Sequence, residues 1–316
     1  MSNLKKPVPL ILDTDIGTDM DDTWALAMIL KSPELDLKLV STVAADTTYR
    51  AKLAAKMLQL AGRTDVPVGI GPASAEHVSY PLGPWVEHYG LADYPGTVHE
   101  DGVQALIDTI RNSPEPVTVL SIGPMTNLAL ALELAPDIID NSRVVGMQGS
   151  IYMGYDGSEQ TVAEWNVYLD PRAAQKVLSS EWNITLTPID TCGLLALSGS
   201  LYQTFRSSTD SLVRAILSNY KFWLEEKHKL HELPAHTSVL YDTVAAYLTF
   251  SEEWLEMEEL PLVVTDNAFT RIDSSGKTIR CATGWKDMRA FEEFLVDRLM
   301  NNAVVSAGEE RQTVIS

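Results

Sequence analysis

Short apolar runs alternate with longer stretches whose apolar residues recur at helical spacing. Residues 8–12 form an unbroken apolar run, as expected of a strand covered on both faces, and residues 22–31 carry the period of a helix. The same alternation predicts strands at 37–43, 66–70, 117–122, 143–147 and 184–189, and helices at 50–61, 124–134 and 171–179. Pro124 stands at a helix start, where a missing N–H is tolerated. Helical periodicity dominates from 201 to 250. Two late strands, 261–264 and 278–282, flank a Ser274-Ser275-Gly276 turn, and a last helix covers 287–301. Alternating strands and helices predict an α/β fold: a doubly wound, mostly parallel sheet with helices on both faces, built as one domain over 1–316. Ligands of such sheets sit beyond the carboxyl ends of the strands.

Two segments break the alternation. Residues 72–102 hold His77, Tyr80, Trp85, His88, Tyr89, Tyr94 and His99 among prolines and glycines. That length allows a lid or binding loop, or a surface loop with aromatics packed beneath it. Residues 228–236 hold three of the six histidines.

Composition narrows the function classes. With 316 residues, 45% of them hydrophobic, and a mean hydropathy of −0.02, the chain can bury a sizeable core. A net charge of −19 repels phosphate backbones and anionic lipid, which argues against nucleic-acid and membrane partners but not against a neutral small molecule. Cys192 and Cys281 form neither a disulfide framework nor a metal-like spacing. Reduced thiols, the lack of an apolar run of signal length after Lys5 and Lys6, and the lack of a bilayer-length apolar stretch together predict a cytoplasmic protein.

The densest chemistry lies just after the first strand. Asp13, Asp15, Asp19, Asp21 and Asp22 place five carboxylates within ten residues at a strand end. Crowded like charges raise carboxyl pKa values and cost stability unless a cation compensates, and a hard divalent ion with oxygen ligands does so best. An EF-hand loop does not fit, because Gly17 comes one place early and Trp24 stands where the bidentate Glu belongs. A phosphotransferase turn of the haloacid dehalogenase type would make Asp13 a nucleophile, but Gly17 replaces the expected Thr or Val and Asp21-Asp22 go unexplained.

The stretch Asp13-Thr14-Asp15-Ile16-Gly17 followed by Asp21-Asp22 resembles the N-terminal signature of the nucleoside hydrolases, the inosine–uridine-preferring family, in a variant with two added residues. Three further stretches resemble the same family in the same order: residues 121–129 around Gly123-Pro124, residues 163–171 around Glu164-Trp165-Asn166, and Tyr241-Asp242. The resemblance covers essentially the whole chain. It implies hydrolysis of the N-glycosidic bond of ribonucleosides, with release of free base and ribose, through an oxocarbenium-like transition state. It further implies Ca2+ held by Asp15, Asp22, Asp242 and the Ile122 main-chain carbonyl, with Asp15 also as general base. By the same resemblance Asp21, Glu164 and Asn166 hold the ribose, and the chain forms a homodimer or homotetramer.

Three positions depart from the family pattern. Tyr241 replaces a His that would protonate the leaving base, and a phenol is a weaker donor at neutral pH. Tyr241 itself or His236 is the expected substitute, with His231 and His88 behind them. Asp46 replaces an Asn and, ionised, can only accept hydrogen bonds near the sugar or base. Ser158 stands where relatives carry an Asn for the 5′ side of the sugar. Asp13, Asp19, Thr126, Asn127 and Asp190 are expected to serve as capping or supporting residues. Two other functions remain open from sequence: a metal-dependent phosphatase with Asp13 as nucleophile, and a non-catalytic ribose or nucleoside binder.

Overall fold

The computed structural model describes residues 6–76 and 78–300. His77 of the aromatic segment, Asn301 of the expected last helix and Lys5 lie outside them. In chain order the elements are β1 (Val8–Thr14), α1 (Asp21–Leu30), β2 (Leu35–Thr42), α2 (Thr47–Leu60), β3 (Val68–Ile70), α3 (Gly83–Val86), β4 (Val98–His99), α4 (Gly102–Asn112), β5 (Val117–Ser121), α5 (Thr126–Leu134), β6 (Ser142–Met147), α6 (Trp165–Leu169), α7 (Pro171–Ser179), β7 (Asn183–Thr187), α8 (Ile189–Cys192), α9 (Gly199–Arg206), α10 (Ser211–Glu226), α11 (Tyr241–Leu248), β8 (Leu255–Val264), β9 (Thr270–Ile272), β10 (Lys277–Trp285) and α12 (Met288–Met300).

One ten-stranded sheet runs in the order β4-β3-β2-β1-β5-β6-β7-β10-β8-β9. Strands β1 to β7 and β10 are parallel, and only the β10–β8 and β8–β9 pairings are antiparallel. The expected doubly wound α/β architecture is what the chain adopts. The chain winds outward from β1 to β4, then returns to lay β5 on the other side of β1. The winding therefore reverses between β1 and β5, where the crevice of an open parallel sheet lies.

Strand β1 alternates its side chains between two cores. Leu10 and Leu12 join the core beneath α1, α2 and α9 to α12, while Ile11 joins the core beneath α4, α5 and α7. A strand sandwiched on both faces has no polar side, which is why residues 10–12 are uninterrupted Leu-Ile-Leu. Every residue of α1 is buried. It is a core helix, apolar or enclosed on every face.

Several boundaries differ from those expected. Helix α2 starts three residues earlier because the Asp46 side chain accepts from the Tyr49 N–H and caps it. Strand β7 ends at Thr187, where Pro188 interrupts the ladder and the short α8 follows. The helical region 201–250 divides into α9, α10 and α11. Helix α4, absent from the expected list, begins where the Asp101 side chain accepts from the Gln104 N–H. Most aromatics of 72–102 pack downward: Tyr94 is buried with its hydroxyl donating to Val66 O at 2.6 Å, and Trp85 and Tyr89 lean on the core.

Candidate active site

A cavity of about 330 Å³ opens at the carboxyl ends of β1 and β5. The tight turn after β1 supplies Asp15, Thr18 and Asp19, and the first turn of α1 supplies Asp21 and Asp22. The loop after β5 adds Ile122, the residues around α6 add Glu164, Trp165 and Asn166, and the first turn of α11 adds Tyr241 and Asp242. Met147, Tyr155, Ser79 and Lys227 complete the lining. Helix α11 packs on α1, and this brings Asp242 to Asp21 and Asp22 across 220 residues of chain.

One carboxylate oxygen from each of Asp21, Asp22 and Asp242 falls within 4.8 Å of the others, and all three residues are buried. Burial pushes each carboxyl well above its ordinary range, and the charges of its neighbours push in the same direction. Thr14 Oγ1 donates to Asp22 Oδ1, which holds that side chain in place. Asp15 is also raised by burial, but here the nearby Arg50 guanidinium opposes the shift. Arg50 is fully buried, donates to Ala44 O at 2.8 Å and Ile16 O at 3.1 Å, and stands 3.8 Å from Asp15 Oδ2. It thus braces the 15–18 turn from behind, with a further bond to Thr18 Oγ1.

An all-oxygen donor set favours a hard cation such as calcium or magnesium over zinc. Oxygens that all lie within 4.8 Å of one another can share a central ion with bonds of roughly 2.3–2.6 Å. The Ile122 carbonyl accepts from Asn166 Nδ2 at 3.2 Å and keeps a second lone pair. The residues present therefore fit a divalent cation of the calcium type.

Glu164 caps α6 and is tied down three times: it accepts from the N–H groups of Asn166 at 2.8 Å, Gly149 at 3.0 Å and Val167 at 3.3 Å. Burial still raises its carboxyl to about 7, against those three bonds. Asn166 Nδ2 also donates to Met147 O at 3.1 Å, so both residues are fixed in orientation.

Not every residue singled out from sequence reaches the cavity. Asp13 is buried beneath it and held by Asn127 Nδ2 at 2.7 Å; burial raises its carboxyl to about 7. Asp46 is exposed and serves as the cap of α2, so its change from Asn has no direct bearing on the lining. Ser158 is exposed and accepts from the Gln160 N–H. His236 is half-buried, its Nδ1 faces Thr237 O, and it does not line the cavity; His88 and His231 are exposed and do not line it either. Asp190 gathers the N–H groups of Ile151, Tyr152 and Met153 and holds that loop, a supporting role as expected. Asp19, expected as a capping or supporting residue, accepts from the Met20 N–H at 2.7 Å without capping α1, and it lines the cavity. Tyr155 and Lys227 were missed, and Trp165 was singled out only as part of the Glu164-Trp165-Asn166 stretch; the aromatics Tyr152, Tyr155 and Trp165 around that polar pair were the available signal.

The model of the inosine-uridine preferring nucleoside hydrolases matches residues 10–304. The chain belongs to that family. Its members are hydrolases of N-glycosyl compounds, and this chain is one. An uncharacterized protein of Schizosaccharomyces pombe is 36% identical over 201 residues, which span 57% of this chain and 61% of that protein. The pyrimidine-specific ribonucleoside hydrolase RihA of Escherichia coli O1:K1 is 27% identical over 313 residues, covering 92% of this chain and 98% of that protein. Among solved structures, a plant nucleoside hydrolase superposes with a TM-score of 0.76 at 20% identity, over 93% of this chain and 99% of that one. The fold of this family member is therefore that of known nucleoside hydrolases.

Proposed function

We propose that the chain hydrolyses the N-glycosidic bond of ribonucleosides with the help of bound calcium. The observation that carries this reading is the convergence of Asp21, Asp22 and Asp242 at the floor of a cavity where the sheet winding reverses. Asp22 and Asp242 of that cluster would hold the cation together with Asp15 and the Ile122 carbonyl, which lie outside the cluster but line the same cavity. Bound there, it would offset the carboxylate charge and lower the pKa of coordinated water. Asp15 takes the proton of the attacking water. Burial raises its carboxyl, and the nearby Arg50 guanidinium opposes that shift and favours the ionised form that a base requires. Asp21, Asn166 and Glu164 hold the ribose hydroxyls; the three backbone bonds to Glu164 keep its carboxylate aimed without reorganisation. The rim residues Tyr155, Trp165 and Tyr241 offer aromatic surface to the base.

A phosphatase with Asp13 as nucleophile fits poorly, since Asp13 lies fully buried outside the cavity lining. The name of RihA specifies pyrimidines, and the panel below reads out the base that this chain prefers.

Release of ribose from a panel of purine and pyrimidine ribonucleosides, with calcium and with excess chelator, tests the reading. Calcium-dependent release from at least one nucleoside is expected, and Asp15→Asn should slow it by about 10²- to 10⁴-fold. Folded, calcium-loaded protein that releases nothing from any nucleoside would refute it.

A further inference from the structure

Breaking an N-glycosidic bond leaves an electron pair on the departing base, and that negative charge needs a partner. The cavity lining is rich in carboxylates and offers two phenols, Tyr155 and Tyr241, whose rings meet edge-on at 6.1 Å. A phenol is a neutral donor. None of the described histidines lines the cavity. Among its described lining residues Lys227 is the one cation.

Lys227 follows the last turn of α10, and its N–H donates to Trp223 O at 3.2 Å. Its ammonium lies 4.5 Å from the centre of the Trp223 ring, a cation–π contact that limits where the side chain can swing. Its charge also bears on Asp19, which lines the same cavity. The side chain is exposed, so it is tethered at the mouth and not packed in the core.

We propose that Lys227 stabilises the departing base by donating a charge-assisted hydrogen bond to its carbonyl oxygen or ring nitrogen. This rests on the ribonucleoside hydrolase reading. The bond between the anomeric carbon and the base nitrogen breaks with its electron pair going to the base. The Lys227 ammonium donates to the base and passes it a proton, becoming an amine. Water bonds to the anomeric carbon and gives its proton to Asp15. Solvent then returns a proton to Lys227 and removes one from Asp15, so nucleoside and water become ribose and neutral base. Bases with a carbonyl edge suit this ammonium better than bases that present only an amino group there.

The test compares the ribonucleoside that the wild-type protein cleaves fastest with 4-nitrophenyl β-D-ribofuranoside, whose leaving group departs without a proton. In calcium-loaded Lys227→Met the ratio of kcat/KM on the nucleoside to that on the nitrophenyl riboside should fall at least about 100-fold. Lys227→Arg should recover most of that ratio. Equal slowing on both substrates, or no change on either, would overturn the role, since a sugar-positioning or purely structural lysine does not separate them. Wild-type protein that cleaves neither substrate would overturn the hydrolase reading and this inference with it.

Discussion

Arg50 does at the level of a single side chain what the cation would do for the cluster: it sets positive charge beside Asp15. It is buried, satisfied by the carbonyls of Ala44 and Ile16, and carried on α2, not on the acidic turn itself. Replacing it by methionine keeps the bulk but leaves Asp15 buried beside other carboxylates. Breaking a buried pair by removing one partner costs roughly 3–5 kcal/mol. Arg50→Met should therefore lower the denaturation midpoint of metal-free protein strongly and recover in part when calcium is added. An unchanged midpoint would show that Arg50 does not brace the turn. Sequence made Asp15, Asp21, Asp22, Asp242, Glu164 and Asn166 visible because their types and order are distinctive. Arg50 was invisible because a lone arginine in a helix has the same local signature whether it faces solvent or a carboxylate.

Among the elements, the turn between β1 and α1 is the most tightly specified. Gly17 has φ +115°, and a Cβ there would stand 2.4 Å from Leu53 Cδ1 and 2.7 Å from Tyr49 Cε1 on α2. A side chain would both strain the backbone and push α2 away from the turn that carries Asp15. Backbone strain of this kind costs about 1–3 kcal/mol, with overpacking adding a similar amount. Gly17→Ala should thus lower both stability and calcium affinity, the latter read by titration calorimetry; a variant that binds calcium as tightly as the wild type would contradict this. Local signals gave the central strands well, since a strand covered on both faces must be apolar throughout. They missed α4, whose start depends on the Asp101 cap, and misplaced Asp46, because a capping aspartate and a ligand-facing aspartate look alike until the helix is laid against the sheet.

For the molecule as a whole, the raised carboxyls dictate how stability follows pH. Burial lifts Asp13 from 3.8 and Glu164 from 4.5, both to about 7, and it raises Asp21, Asp22 and Asp242 well above their ordinary value too. The folded, metal-free chain therefore binds more protons than the unfolded chain, and its stability falls as pH rises from about 4 through 7. Glu34 and Asp65, lowered in the folded state, act in the opposite sense, but only toward the acid end, around and below their ordinary carboxyl values, so the fall above that range stands. Chelator-treated protein should accordingly show a lower urea midpoint at pH 8 than at pH 5, and calcium should abolish or reverse the difference. A midpoint that rises from pH 5 to pH 8 without metal would be inconsistent with these shifts.

The close packing of α1 on α11 has one more consequence. Both helices begin at the cavity floor, Asp21 and Asp22 in the first turn of one and Asp242 in the first turn of the other. Each helix start presents unpaired N–H groups and a partial positive charge of about half a unit. Two such ends aimed at one spot soften the repulsion among the three carboxylates before any ion arrives. The fold itself can thus gather the three carboxylates, so the pocket's shape is set by how the two helices pack and not by what later enters it.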